Sequence, residues 1–230
     1  MRSGVIRMKD TARAAKLQKP IARLISMTKA APLPPKFYAR DPRQVASALL
    51  GKLLVRREGK QVRAGRIVEV EAYLGLDDPA AHAYRGMTAR NAVLFGPPGH
   101  AYVYFIYGFH YCLNVSCEGQ GGGVLIRALE PVAGLDLMYA ARDMEPKDGR
   151  AAELRLLTSG PGRLAEAFSI TRDRDNNKNV TSRRSDLQIV DDGQPAPKVA
   201  ITVRIGVTKA ADQPLRYVVA GNAFVSGKKS

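Results

Sequence analysis

A succession of extended runs broken by glycine turns limits what this chain can fold into. Residues 66–73 (RIVEVEAY) are rich in β-branched side chains, which favour an extended backbone whose side chains alternate between two faces. That alternation places Ile67, Glu69, Glu71 and Tyr73 on one face and Val68, Val70 and Ala72 on the other. Residues 101–107 (AYVYFIY) run into Gly108, and the chain resumes as residues 111–116 (YCLNVS). Residues 118–122 (EGQGG) make a second turn, and residues 124–129 (VLIRAL) stop before Pro131. Strand, glycine turn, strand, glycine turn, strand is the pattern of an antiparallel meander.

A chain of 230 residues can bury one substantial core, which predicts one domain with a tail. Its 45% hydrophobic and 25% charged residues are ordinary for a soluble globular protein, whereas its formal net charge of +15 is not. Such an excess points to a polyanionic partner, nucleic acid before an anionic membrane surface. A basic tail on an otherwise neutral domain is the plainer alternative. The two cysteines, Cys112 and Cys117, share one extended stretch, and reduced thiols in a cytosolic protein are expected. His100 and His110 lack metal-type spacing, so neither a metal nor a cofactor is expected. No apolar run approaches the about 18 residues of a membrane span.

Residues 1–33 read as a basic, flexible tail carrying Arg2, Arg7, Lys9, Arg13, Lys16, Lys19, Arg23 and Lys29 against Asp10. A transit peptide, an arm that slides on DNA, a leader upstream of a start at Met8 or Met27, and a solvated tail without a role all stay open. Pro32, Pro34 and Pro35 mark a boundary. Residues 34–227 then form the domain and residues 228–230 a frayed end. Asp41-Pro42 is an N-cap followed by proline at the first helical position. Residues 53–55 begin a strand, residues 58–60 turn it, and residues 77–99 form a long polar loop of the kind that is usually functional. Leu135, Met138 and Ala141 have helical spacing, residues 158–162 (TSGPG) open a helix from Arg163, and residues 172–184 read as loop. Residues 187–190 read as a short strand, alternation at Val199, Ile201, Val203, Ile205 and Val207 predicts a half-buried strand, and residues 215–220 are the last strand. The fold class is α+β: a single domain with a central antiparallel β-sheet flanked by helices and a protruding β-hairpin.

The candidate chemistry lies in the same stretch. Glu69 and Glu71 are both carboxylates on one strand face, and the pattern alone does not separate a catalytic acid from a salt-bridged one. Tyr73, Tyr102, Tyr104 and Tyr107 can pack across strands or line a slot for a flat ring. His82 stands alone on a polar loop, Arg127 shares a strand face with Leu125, and Asn114 is unusual inside a strand unless its amide is used. The glycine turn before Arg163 can hold a phosphate or simply start a helix.

Residues 65–75 (GRIVEVEAYLG), 80–82 (AAH), 102–108 (YVYFIYG), 112–115 (CLNV) and 125–131 (LIRALEP), in this order, resemble the alkyladenine (3-methyladenine) DNA glycosylase family. Weaker matches follow at residues 159–164 (SGPGRL), 204–207 (RIGV) and 214–217 (PLRY). The resemblance implies that Glu71 is a general base that deprotonates the attacking water, and that Arg127 orients this water and meets backbone phosphate. It gives the backbone carbonyl of Val219 a share in holding the water. Tyr73, His82 and Tyr104 would form the slot for a flipped base, with Ala80 and Leu125 also in the pocket, and Asn114 would screen out the amino group of normal guanine. Tyr107, flanked by Gly108 and Phe109, would be the wedge that replaces the base in the stack, although many family members have Met where Phe109 stands. Arg163 would hold a phosphate. No lysine nucleophile matches, which implies hydrolysis by water.

These readings together describe a monomeric, monofunctional DNA glycosylase. It would flip alkylated or deaminated purines out of double-stranded DNA and hydrolyse the N-glycosidic bond, starting base-excision repair. Its expected place is the cytoplasm and nucleoid if bacterial, with organellar or nuclear targeting by the tail as the other reading. The alternatives are a non-catalytic nucleic-acid-binding module on the same fold and a basic tRNA-processing or ribosome-associated enzyme.

Overall fold

The computed structural model describes residues 30–106, 108 and 110–227. The readings of residues 1–29, Tyr107, Phe109 and residues 228–230 fall outside the described residues. After a short helix α1 (Pro35–Tyr38), helix α2 (Pro42–Leu49) begins where the Asp-Pro pair predicts it. Asp41 accepts the Arg43 N–H at 2.8 Å, satisfying a donor that the first helical turn leaves without a partner. Strand β1 (Leu53–Glu58) then turns into β2 (Gln61–Tyr73).

Strands β3 (Ala101–Ile106), β4 (His110–Ser116) and β5 (Gly123–Ala133) form the expected meander. The sheet runs β3-β4-β5-β2-β1-β6, with β6 spanning Leu187–Val190. Two further strands, β7 (Val199–Thr202) and β8 (Arg216–Val219), pair with each other, and β8 takes over the β1 edge of β2 at Glu69, Val70 and Glu71. All these pairs are antiparallel. Helices α3 (Leu135–Ala141), α4 (Ala151–Thr158), α5 (Pro161–Ala167) and α6 (Arg172–Asp175) complete an α+β domain. The main core joins Leu113 and Val115 of β4, Ile126 and Leu129 of β5, and Leu164 of α5.

The faces of β2 differ from simple alternation. Ile67 lies in the main core with Val70 and Ala72, while Val68 joins Ala128 and Phe224 in a separate small cluster. The cause is a pair of opposed bulges. Ile67 pairs with Leu129, Glu69 with Ala128 and Val70 with Ile126, which leaves Val68 on β2 and Arg127 on β5 without cross-strand partners. A bulge re-aims the side chains beside it. Here the two cancel in register, so that Glu69, Glu71 and Arg127 converge on the side away from the main core.

Three further expectations change. Residues 172–184 are not all loop: α6 buries Asp175 against Arg56, whose Nη2 donates to Asp175 Oδ2 at 2.7 Å. Helix α4 fills a stretch for which no element was predicted. The alternating run from Val199 is a strand only as far as Thr202, and Ile201, Val203 and Ile205 are exposed at 56%, 46% and 39%. Beyond Thr202 the chain leaves the sheet, and Arg204 turns inward to an ion pair with Asp78 instead.

Candidate active site

Two neighbouring acids of β2 have different surroundings. Both are fully buried. Glu69 Oε1 accepts from Arg127 Nε at 2.9 Å, Arg216 Nε at 2.7 Å and Ser226 Oγ at 2.8 Å, and Oε2 accepts the Ser226 N–H at 2.5 Å. Burial opposes its charge, but Arg127, the Ser226 N–H and Arg216 outweigh it and hold the Glu69 pKa below the usual carboxylate value. Glu71 receives less. Ile205 N–H donates to Oε1 at 2.8 Å, the Tyr73 hydroxyl donates to Oε2 at 3.0 Å, and Arg127 Nη1 stands 3.3 Å from Oε2. A carboxylate accepts about four hydrogen bonds, so Glu69 is saturated and Glu71 is not.

Arg127 thus spans both acids from its bulge. Burial works against its charge, but Glu71 and Glu69 together raise its pKa. The Glu71 carboxylate does not itself line the cavity beside it. The three groups that surround it, Tyr73, Arg127 and Ile205, all do.

That cavity, about 400 Å³, extends from Tyr104, Cys112 and Leu125 to Ser159, Gly160 and Arg163. A second lobe of about 290 Å³ is lined by Ala80, His82, Tyr102 and Asn114. The two share Tyr73, Tyr104, Ile106, Gly206 and Val207, so these residues stand between two halves of one cleft. Alternation on β3 and β4 explains the lining: Tyr102 pairs with Asn114 and Tyr104 with Cys112, while Ala101, Val103, Leu113 and Val115 enter the core.

The His82 ring meets Tyr104 edge-on with centroids 4.4 Å apart, and its Nδ1 lies 2.9 Å from the Tyr102 hydroxyl. His82 is exposed as a residue, yet partial burial of its ring, with Arg90 nearby, lowers its pKa. Loss of solvent raises the hydroxyl pKa of Tyr73 and Tyr104, so both stay neutral. Asn114 Nδ2 donates to Tyr102 O at 3.2 Å, which fixes the amide in the wall.

The polar loop is held from beneath. Arg204 donates to Asp78 through Nη1 at 2.5 Å and Nη2 at 2.9 Å, and its guanidinium lies 4.8 Å from the centre of the Tyr73 ring. Asp78 in turn accepts the backbone N–H groups of Leu74 and Ala80. Buried Asn91 donates to the His82 and Gly86 carbonyls and accepts from Thr88 N–H. Each side chain substitutes for regular backbone pairing in a loop that has little of its own.

The structure therefore brings together Glu71, Arg127, Tyr73, His82, Tyr104, Asn114, Leu125 and Ala80, and sets exposed Arg163 at the rim. Gly108 is exposed in the β3–β4 turn with φ +76°. Val219, on β8, pairs with Val199 of β7 and packs beside the Val68, Ala128 and Phe224 cluster, and it lines neither lobe. The backbone group at Glu71 belongs to Ile205. Sequence reasoning noticed residues 204–207 as a weak match and then read them as strand. The inward Arg204, flanked by β-branched residues, was the signal that they leave the sheet. Among the described residues, no three His, Cys, Asp or Glu side chains are grouped to hold a metal, and no helix is long and apolar enough to cross a membrane.

Comparison with known proteins places the chain in a family. The family model described as methylpurine-DNA glycosylase matches residues 36–223. Curated relatives that carry the provisional name 3-methyladenine DNA glycosylase include one from Koribacter versatilis, 64% identical over 89% of this chain and 97% of its own. Another, from Methanoculleus marisnigri, is 52% identical over 84% of this chain and 98% of its own. A third, from Burkholderia lata, is 49% identical over 85% and 91%. A saturated and an unsaturated acid under a tyrosine-lined cleft, and a match along most of the domain, lead to one assignment: the chain belongs to the methylpurine-DNA glycosylase family, hydrolases that act on N-glycosidic bonds.

Proposed function

We propose that this protein excises alkylated and deaminated purines from duplex DNA by direct hydrolysis. The observation that carries the reading is the unsaturated Glu71 carboxylate, enclosed by three groups that face the cleft. The flipped base enters the lobe lined by His82, Tyr102 and Asn114, against the rings of Tyr73 and Tyr104. The sugar then lies toward Arg127, at the entrance to Glu71. Glu71 takes a proton from water as the water attacks the anomeric carbon, and the purine leaves. Positive charge develops on the sugar as the bond breaks, and the carboxylate stabilises it. Aromatic faces favour cationic methylated purines, and the Asn114 amide disfavours the amino group of guanine. Tyr107, with Gly108 and Phe109 beside it, fills the gap in the stack, while Arg127 and Arg163 meet phosphate.

A panel of duplexes, each with one modified base, tests this reading. Release of free base without strand cleavage is expected for 3-methyladenine, 7-methylguanine or hypoxanthine. No release from any duplex, with binding retained, would leave a nucleic-acid-binding module.

A further inference from the structure

Glu69 has no part in the chemistry proposed above, yet it receives more hydrogen bonds than Glu71. Four donors from three distant parts of the chain converge on it: Arg127, Arg216 and both the backbone and the hydroxyl of Ser226. The Ser226 segment is itself pinned. Arg155 Nη2 donates to the carbonyls of Val225 and Gly227 at 2.8 Å each, and Arg216 Nη2 donates to the Ser226 carbonyl at 3.0 Å.

We propose that Glu69 and Ser226 together position Arg127, and through it control access to Glu71; this rests on the reading of Glu71 as general base. The geometry is specific. Arg127 commits Nε to Glu69, and its Nη1 then stops 3.3 Å from Glu71. A guanidinium presented with a free carboxylate prefers a two-pronged pair. Without Glu69, Arg127 turns its fork onto Glu71 and occupies the oxygen that must meet water. Ser226 sets the angle of the Glu69 carboxylate, because its N–H and hydroxyl grip both oxygens. A segment 157 positions along the chain from Glu69 thus belongs to the reaction centre without touching substrate.

The test is a double-mutant cycle on single-turnover release of methylated purine from duplex DNA. A small misplacement of a reacting group slows chemistry by about 100-fold, so Glu69→Gln is expected to lose about that much rate when measured with enzyme saturating the duplex. In an Arg127→Ala background the same change is expected to have no further effect, since residues acting through one group do not add. Ser226→Ala should show a smaller loss with the same dependence on Arg127, and Ser226→Thr, which keeps the hydroxyl, should restore the rate. Losses that multiply in the double variants would overturn the proposal, as would an unchanged rate in Glu69→Gln. Should Glu69→Gln fail to fold, the Ser226→Ala cycle decides in the same way. Failure of the underlying reading shows separately, as full activity in Glu71→Gln.

Discussion

The Ile205 N–H donates to Glu71 Oε1 at 2.8 Å, across 134 positions of sequence. This contact fixes one oxygen of the carboxylate from outside the sheet, while the Tyr73 hydroxyl and Arg127 approach the other. It comes from the segment that follows Thr202, the last residue of β7.

Glu71→Gln keeps the size of the side chain and an oxygen that can accept from Ile205, but removes the proton acceptor. Base release should fall by about 10²- to 10⁴-fold, the range for loss of a general base, while affinity for damaged duplex is retained. Single-turnover release set beside a binding titration checks both halves, and equal loss of rate and affinity would argue against a purely chemical role.

Arg204→Met should be the most damaging change away from the carboxylates. Both side chains of the Arg204–Asp78 pair are fully buried, and removing one partner strands the other charge at about 3–5 kcal/mol. Urea unfolding should show that loss. Folding at low denaturant should still leave a weakened base slot, because Tyr73 loses the guanidinium beneath its ring.

His82 has a lowered pKa, from loss of solvent and from Arg90, so it is neutral at neutral pH. Its charged form is disfavoured in the fold, and protonation begins only as pH falls below the usual imidazole value of about 6.5. Protonation sets a cation against an already cationic purine. Release of 7-methylguanine by the native protein should therefore decline more steeply on acidification than release by His82→Gln. Parallel pH–rate profiles of the two would refute this.

Asp186 lies among Arg56, Arg174 and Lys178 on the other side of the sheet. Burial opposes its charge, but these partners lower its pKa to about 2. A depressed carboxylate pKa contributes stability above the unfolded value of about 3.9 that is lost as pH falls through the folded one. With 34% of the side chain exposed, solvent screening leaves about 1 kcal/mol of that contribution. Asp186→Asn should lower stability by this amount at pH 7, and the difference from the native protein should close between pH 4 and about 2. Thermal or urea unfolding across that window measures it.

Much of the scaffold is legible locally. The Asp41-Pro42 cap, the glycine turns around Tyr111–Ser116 and the alternation that sends Tyr102, Tyr104, Cys112 and Asn114 to one side each depend on a few adjacent residues, and each is seen in the structure. The β2 faces are not legible in this way. Two one-residue bulges with no glycine or proline to announce them move Ile67 into the core and Val68 out of it. The Ile205 contact is hidden for a related reason: alternation alone reads residues 199–207 as one strand, whereas the residue that reaches Glu71 lies in an irregular segment that also carries the buried Arg204.

The sequence by itself therefore determined the antiparallel framework, the family and the candidate side chains, because strand periodicity, turn chemistry and helix caps are properties of neighbouring residues. Only the tertiary structure decided how many donors each of the two acids receives. Apart from the neighbouring Tyr73 hydroxyl on Glu71, the donors that distinguish Glu69 from Glu71 arrive from 58, 134, 147 and 157 positions away. Hydrogen-bond saturation depends on distance in space, and two carboxylates two residues apart on one strand carry no local trace of it.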